Sequence, residues 1–201
     1  MGQTLTASRL KKAGVGTFFR PGQLKPLGIS YPRLQDFVAA GAVEKVGGGL
    51  YRLAAAEPRE LETVAMVAAA VPAGVICLLS ALRIHGIGTQ SPHEVWLALD
   101  RKARKPQRPP AKVRIVRFSG PMLRYGVQER KILGVPAHIT SPARTVVDCF
   151  RYRRKIGTDV ALEALREALR ARKATVDEIM RAAEMCRART VLRTYLEALQ
   201  L

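Results

Sequence analysis

Acidic residues are scarce in this chain: 16 Asp plus Glu stand against 34 Lys plus Arg in 201 residues, a formal charge of +18. Such a surface attracts phosphate and releases counterions on contact, so a polyanionic partner is implied; the plainer alternative is a soluble basic protein from an arginine-rich source. Cysteine is also scarce. Cys77, Cys149 and Cys186 are odd in number, far apart and without a CxxC spacing, which argues against a disulfide framework and for reduced thiols in the cytoplasm. Long apolar runs are missing too. A bilayer needs roughly 20 apolar residues in a row, and the nearest run, 64–79, is broken by Pro72-Ala73-Gly74. Residues 1–16 are polar and interrupted by lysines, unlike a signal peptide.

Several chemistries lack their residues. The glycine runs at 14–16 and 47–49 have neither the lysine nor the strand-to-helix context of a phosphate loop. Cys77, His85 and His93 are spaced too loosely for a zinc site, so they read as a buried thiol and ordinary imidazoles. No fixed-period repeat and no low-complexity tail occur. Neither a metal nor a cofactor is expected.

The basic excess runs through the whole chain. Residues 1–55 hold 8 basic and 2 acidic residues, 56–150 hold 14 and 7, and 151–201 hold 12 and 7, or +6, +7 and +5. A hydrophobic content of 48% is enough for a sizeable core.

The most specific stretch is 23–53. Gly28 tolerates the backbone angles of a tight turn between two helices, and Ser30 can cap the second. Pro32 falls in that helix's first turn, where its missing N–H costs little. Leu34, Phe37 and Val38 recur at i, i+3 and i+4, and Gly41 ends the helix. Residues 42–46 and 50–53 then read as two short strands around Gly47-Gly48-Gly49. Helix, turn, helix and hairpin describe a winged helix. A helix over 6–13, capped by Thr4 or Thr6, precedes it with Leu5, Leu10 and Val15 inward. Phe18, Phe19, Leu24, Leu27, Val43 and Tyr51 complete its core.

After a connector at 54–58, Pro58 opens a helix with Leu61, Val64, Ala65 and Ala68 on one face. Residues 74–79 read as a strand, Ser80 as the cap of a helix that Gly86 closes, and 95–99, 113–118, 123–127 and 131–139 as further strands. Residues 101–112, RKARKPQRPPAK, contain six basic residues, three prolines and no acid. They form an exposed loop, either a solvated connector or a phosphate contact. The last third is helical: Ser141-Pro142 start a helix carrying Val146, Val147 and Phe150, another covers 159–172, Thr175 and Glu178 make a capping box, and the last covers 190–199. The fold class expected is α+β, with a winged helix at 1–56 and a mixed α/β domain at 57–201 that ends in a helical bundle.

The GIS turn at 28–30, GLYRL at 49–53, LLSALRIHGIG at 78–88, SPARTVVDCF at 141–150, VALEALREAL at 160–169 and YLEAL at 195–199 together resemble the AbiEi family of antitoxins from type IV toxin-antitoxin systems. The resemblance implies a winged helix that binds inverted repeats in its own promoter and represses it. It also implies a C-terminal domain that counters a nucleotidyltransferase toxin without a stable complex. Carried onto this chain, the recognition helix is 31–40, with Ser30 and Tyr31 at its leading end and Arg33, Gln35 and Asp36 facing away from the core. Arg33 is suited to guanine and Gln35 to adenine, or both touch phosphate or water. Asp36 orients Arg33 or repels wrong bases. Arg20, Gln23 and Lys25 are backbone-contact candidates. The glycine wing tip departs from the arginine often found in the family, leaving phosphate contact to Lys45, Arg52 or backbone N–H groups. Arg101, Lys102, Arg104 and Lys105 join the DNA-binding set, and Arg151, Arg153, Arg154 and Lys155 either extend it or are solvated.

A non-enzymatic DNA-binding repressor is therefore expected. The competing enzyme would be a metal-dependent nuclease using Asp100 and Lys102 at a strand end, but no second carboxylate stands on a neighbouring strand. A solitary regulator without a toxin is the remaining alternative.

Overall fold

Gly28 adopts a left-handed backbone (φ 70°) and closes the preceding segment, with its N–H on the Lys25 carbonyl at 3.0 Å. Ser30 is extended and its Oγ accepts the Arg33 N–H, so the next helix starts where a capping residue stands. Removing such a cap costs about 1 kcal/mol. These features belong to a computed structural model that describes residues 7–47, 49–54 and 60–198. The chain forms two compact units: Met1–Pro72 with Pro106–Lys112 and Arg130–Ala137, and Ala73–Lys105 with Val113–Glu129 and His138–Leu201.

In the first unit, helix α1 (Ala7–Lys12), strand β1 (Phe18–Phe19), a 3-10 segment (Pro21–Leu27), helix α2 (Tyr31–Ala39), strands β2 (Val43–Gly47) and β3 (Leu50–Leu53), and helix α3 (Glu62–Ala70) follow one another. The strands form an antiparallel sheet in the order β1-β3-β2. Phe19 pairs with Tyr51, and their rings stack at 6.1 Å. Leu10, Val15, Leu24, Leu34, Phe37, Val43 and Leu53 close the core around them. The Gly28 turn, the helix after it and the two strands at 43–47 and 50–53 fall close to where they are expected, with three differences. Pro26 removes an interior N–H donor, and 21–27 forms a 3-10 segment rather than an α-helix. Leu27, its last residue, is 39% exposed rather than in the core. Phe18 and Phe19 form a third strand, too short for any periodicity to announce it. Thr4, Leu5, Thr6, Gly48 and Pro58 lie outside the described residues.

α3 begins only after Leu61, whose left-handed backbone (φ 66°) cannot continue a helix. Arg20 donates to the carbonyls of Ala69 (3.3 Å) and Ala70 (2.8 Å) in its last turn, satisfying acceptors that a helix end leaves open. Arg52 bridges Glu44 and Glu62. These bonds explain why the first unit continues past residue 56 to Pro72.

The second unit contains strands β4 (Val75–Ile76), β5 (Val95–Asp100) and β6 (Val113–Phe118), and helices α4 (Leu78–His85), α5 (Pro142–Arg151), α6 (Arg153–Ile156), α7 (Thr158–Arg170), α8 (Val176–Met185) and α9 (Arg189–Ala198). With β7 (Val127–Ile132) and β8 (Val135–Thr140) the strands form a mixed sheet in the order β6-β5-β4-β8-β7. β4 runs antiparallel to β5 and parallel to β8, and β5 runs parallel to β6. The protein is thus of mixed α+β architecture. One core joins Trp96, Val116 and Phe118 of the strands to Leu82, Val146, Val147, Phe150, Leu165, Ile179 and Leu192 of the helices. The caps at Ser141 and Thr175 are present, the latter as a reciprocal box with Glu178 at 2.8 and 3.2 Å.

Three expectations are corrected along these strands and helices. The strand at 74–79 shrinks to Val75–Ile76, because Cys77 is already the cap of α4. Ser80 consequently lies inside α4, and its buried hydroxyl accepts the Trp96 N–H at 2.9 Å, tying helix to strand. Residues 120–123 form a 3-10 turn after Pro121, and the strands expected at 123–127 and 131–139 become β7 and β8. Leu133 (φ 50°) and Gly134 (φ 82°) supply the two positive angles of the tight turn between them. Among the described residues no helix is long and apolar enough to cross a membrane.

Candidate nucleic-acid interface

Because Leu34 and Phe37 are buried, the 3.6-residue period leaves Tyr31, Arg33, Gln35 and Asp36 of α2 exposed. Tyr31 is 56% exposed, large for a ring with no structural reason to face water. The neighbouring hydroxyls of Tyr31 and Tyr51 act on each other, raising the pKa of Tyr31 and lowering that of Tyr51. Gln35 Nε2 donates to the Tyr51 hydroxyl, at 3.5 Å. Tyr51 is 2% exposed and stacked on Phe19, so a buried ring places the oxygen that accepts from Gln35 on the open face of α2. Gln35 keeps its second amide hydrogen and its Oε1, the pair that a bidentate contact with adenine requires.

Arg33 makes no side-chain hydrogen bond or ion pair among the described residues, and Asp36 does not pair with it. The orienting role considered for Asp36 is therefore not seen. Lys25 and Lys45 are exposed cations of the same unit. Ser30 is engaged by the Arg33 N–H, and Gln23 Oε1 accepts the Arg20 N–H at 2.7 Å.

Arg20 and Arg52 stand apart from this group. The Arg20 guanidinium is bound to α3 carbonyls, and Arg52 is held by Glu62 and Glu44, whose hydrogen bonds and charges raise its pKa. Both hold the unit together.

In the second unit Arg101, Lys102, Arg104 and Lys105 are exposed and bound to no carboxylate among the described residues. In the 151–155 run Arg154 is likewise exposed and without a side-chain bond among the described residues, and the other three cations differ. Arg151 donates to the Cys186 carbonyl at 2.6 Å, Arg153 donates to the Phe150 carbonyl at 2.8 Å, and Lys155 lies 5.6 Å from the Tyr152 ring centre. Asp100 Oδ1 accepts the Lys102 N–H at 2.8 Å, and among the described residues no group of three or more His, Cys, Asp or Glu is placed to hold a metal.

No family model and no curated protein matches this chain. What it binds has to be argued from the surface itself.

The sequence did not mark Tyr51, Arg117 or the pair Arg144–Asp148 as polar anchors. Tyr51 read as one more core residue, and its hydroxyl became informative only when β3 passed beneath α2. Arg144 and Asp148 are both 0% exposed and joined at 3.0 Å, and Arg144 Nη1 donates to the Tyr125 carbonyl at 2.7 Å. The guanidinium centre lies 4.9 Å from the Phe118 ring centre. Arg144 Nη2 and Asp148 Oδ1 have no protein partner, and burial pushes the Asp148 carboxyl up to about 6. Burial likewise raises the thiols of Cys77, Cys149 and Cys186, which are inert at neutral pH. The i, i+4 spacing of Arg144 and Asp148 was a readable signal for the pair; its complete burial was not.

Proposed function

We propose that the first unit is a winged-helix DNA-binding domain, that the protein represses its own promoter, and that it acts as an AbiEi-like antitoxin. The observation that carries this is α2: a capped helix behind a left-handed glycine turn, with Tyr31, Arg33 and Gln35 exposed on one face and Leu34 and Phe37 locked beneath. β2 and β3 supply the wing. A helix of this kind enters the major groove with its N-terminal residues leading, where Arg33 and Gln35 can read guanine and adenine at roughly 1–3 kcal/mol of discrimination each. Lys25 and Lys45 contact phosphate. Arg20 and Arg52 are left out of the contact set because their donors already have partners.

Inverted repeats with half-sites about one helical turn apart place two copies side by side on the DNA. The functional partner in such a system is a nucleotidyltransferase toxin that the second unit counters without a stable complex. Mobility shifts on the protein's own promoter against random duplex test the repressor; equal affinity for the two would end it. Co-expression with a nucleotidyltransferase encoded beside it tests the antitoxin: rescue of growth is expected.

A further inference from the structure

Four cations occupy five residues in the turn after β5: Arg101, Lys102, Arg104 and Lys105. All are exposed, and the carboxylate that precedes them in the chain, Asp100, accepts the Lys102 N–H. The turn is held from behind by a fifth cation. Arg117 of β6 donates through Nη1 to the carbonyls of Asp100 (2.6 Å) and Ala103 (2.8 Å), while the Arg101 N–H reaches the Phe118 carbonyl at 3.1 Å. Tyr152 in turn donates to the Arg117 carbonyl at 3.3 Å. Like charges are thus gathered on an immobile backbone, an arrangement that repels itself until an anion sits on it.

Asp100 and Ala103 also form one side of a cleft of about 420 Å³. Arg124 and His138 contribute to its lining, and Val75, Leu99 and Leu123 give it apolar surface. Arg124 is exposed, and its guanidinium has no partner among the described residues. An apolar hollow beside an acceptor and a rim of unpaired cations matches the parts of one unstacked nucleotide: a flat base, an exocyclic amine and a phosphate. Bases stacked inside a duplex cannot enter it.

We propose that this cleft receives an unpaired base of a single-stranded nucleic acid, with Arg101, Lys102, Arg104, Lys105 and Arg124 holding the adjoining phosphates and Asp100 accepting from the base. The site lies wholly within the second unit and stands whether or not α2 reads a promoter.

The test uses the full chain and fluorescence anisotropy with a labelled mixed-sequence single-stranded DNA 20-mer and the same sequence as duplex. Replacing Arg101, Lys102, Arg104 and Lys105 together by Ala is expected to weaken single-strand binding about tenfold or more. The slope of log affinity against log salt should fall by about 0.7 for each phosphate that is no longer neutralised. Ala73→Trp, at an exposed position on the cleft wall, is expected to weaken single-strand binding about fivefold, leaving the salt slope and duplex binding unchanged. Asp100→Asn keeps an oxygen for the Lys102 N–H, and is expected to change the preference for oligo-dC over oligo-dT. Lys173→Ala, an exposed control, changes nothing. Circular dichroism melts check that each variant folds. Unaltered single-strand affinity and base preference in both Ala73→Trp and Asp100→Asn would overturn the proposal. So would displacement of the strand by polyglutamate at equal charge, which would point to an acidic protein.

Discussion

Residues 101–105 and 151–155 each carry four cations in five positions, and no property of the sequence separates them by charge. The fold uses them in opposite ways. The second run sits where α5 ends and α6 begins, within reach of carbonyls that helix ends leave open, so Arg151 and Arg153 bond inward and Lys155 lies against an aromatic face. The first follows a strand, precedes three prolines and has its own carbonyls gripped by Arg117, so its cations point to water. A backbone acceptor within reach ties a cation's donors to the fold even where the side chain stays exposed, as at Arg151. Arg144 is the extreme of the inward kind, fully buried against Asp148.

The comparison breaks first at that pair. Asp148→Ala should destabilise the protein by about 3–5 kcal/mol, because it leaves a buried guanidinium uncompensated. Urea unfolding measures the change. Arg144→Met combined with Asp148→Leu should recover most of it, as apolar replacements of buried ion pairs do.

A smaller effect concerns pH. Asp148 is raised to about 6 in the folded protein from 3.8, so between those values the native state binds the proton that the unfolded state has released. The carboxyl's contribution to stability is therefore fully present below about pH 4 and is lost as pH rises through 6. The difference in unfolding free energy between the wild type and Asp148→Asn should shift against the wild type over that window by on the order of 1–3 kcal/mol. A difference independent of pH would show that the carboxyl is not held up by burial.

Arg151→Ala, which frees the Cys186 carbonyl, should cost about 1–2 kcal/mol and leave the salt dependence of nucleic-acid binding unchanged. Lys102→Ala should do the reverse. Its stability stays within about 0.5 kcal/mol of wild type, and the salt slope falls by about one phosphate's worth. Equal behaviour of these two variants would dissolve the contrast between the runs.

Much of this fold is legible in the sequence wherever a signal is local. The Gly28 turn, the Ser30, Ser141 and Thr175 caps, the apolar stripe of α2 and the strands at 95–100 and 113–118 each depend on residues a few positions apart. Expectations failed where a distant partner decides. Phe18–Phe19 becomes a strand only through pairing with β3, and Ser80 turns from a cap into an acceptor because the Trp96 N–H arrives beside it. The strand expected at 131–139 is split because Leu133 and Gly134 both take positive φ, which for Leu133 no local pattern marks.

The candidate surfaces follow the same rule. Exposure of Tyr31, Arg33 and Gln35 follows from helical period alone, and the exposure of 101–105 from its prolines and charges. Tyr51 beneath α2, Arg117 behind the turn and the cleft beside Asp100 join elements far apart in the chain, so no pattern within one window could have shown them.

The basic balance, the capped helices and the polar face of α2 are all readable from residue order, because composition, capping and periodicity act within a turn or two of chain. Which of the described cations stay free to meet an anion is set by contacts between segments far apart in the chain. A guanidinium takes whatever carbonyl or carboxylate the fold brings within about 3 Å, and that is a property of packing.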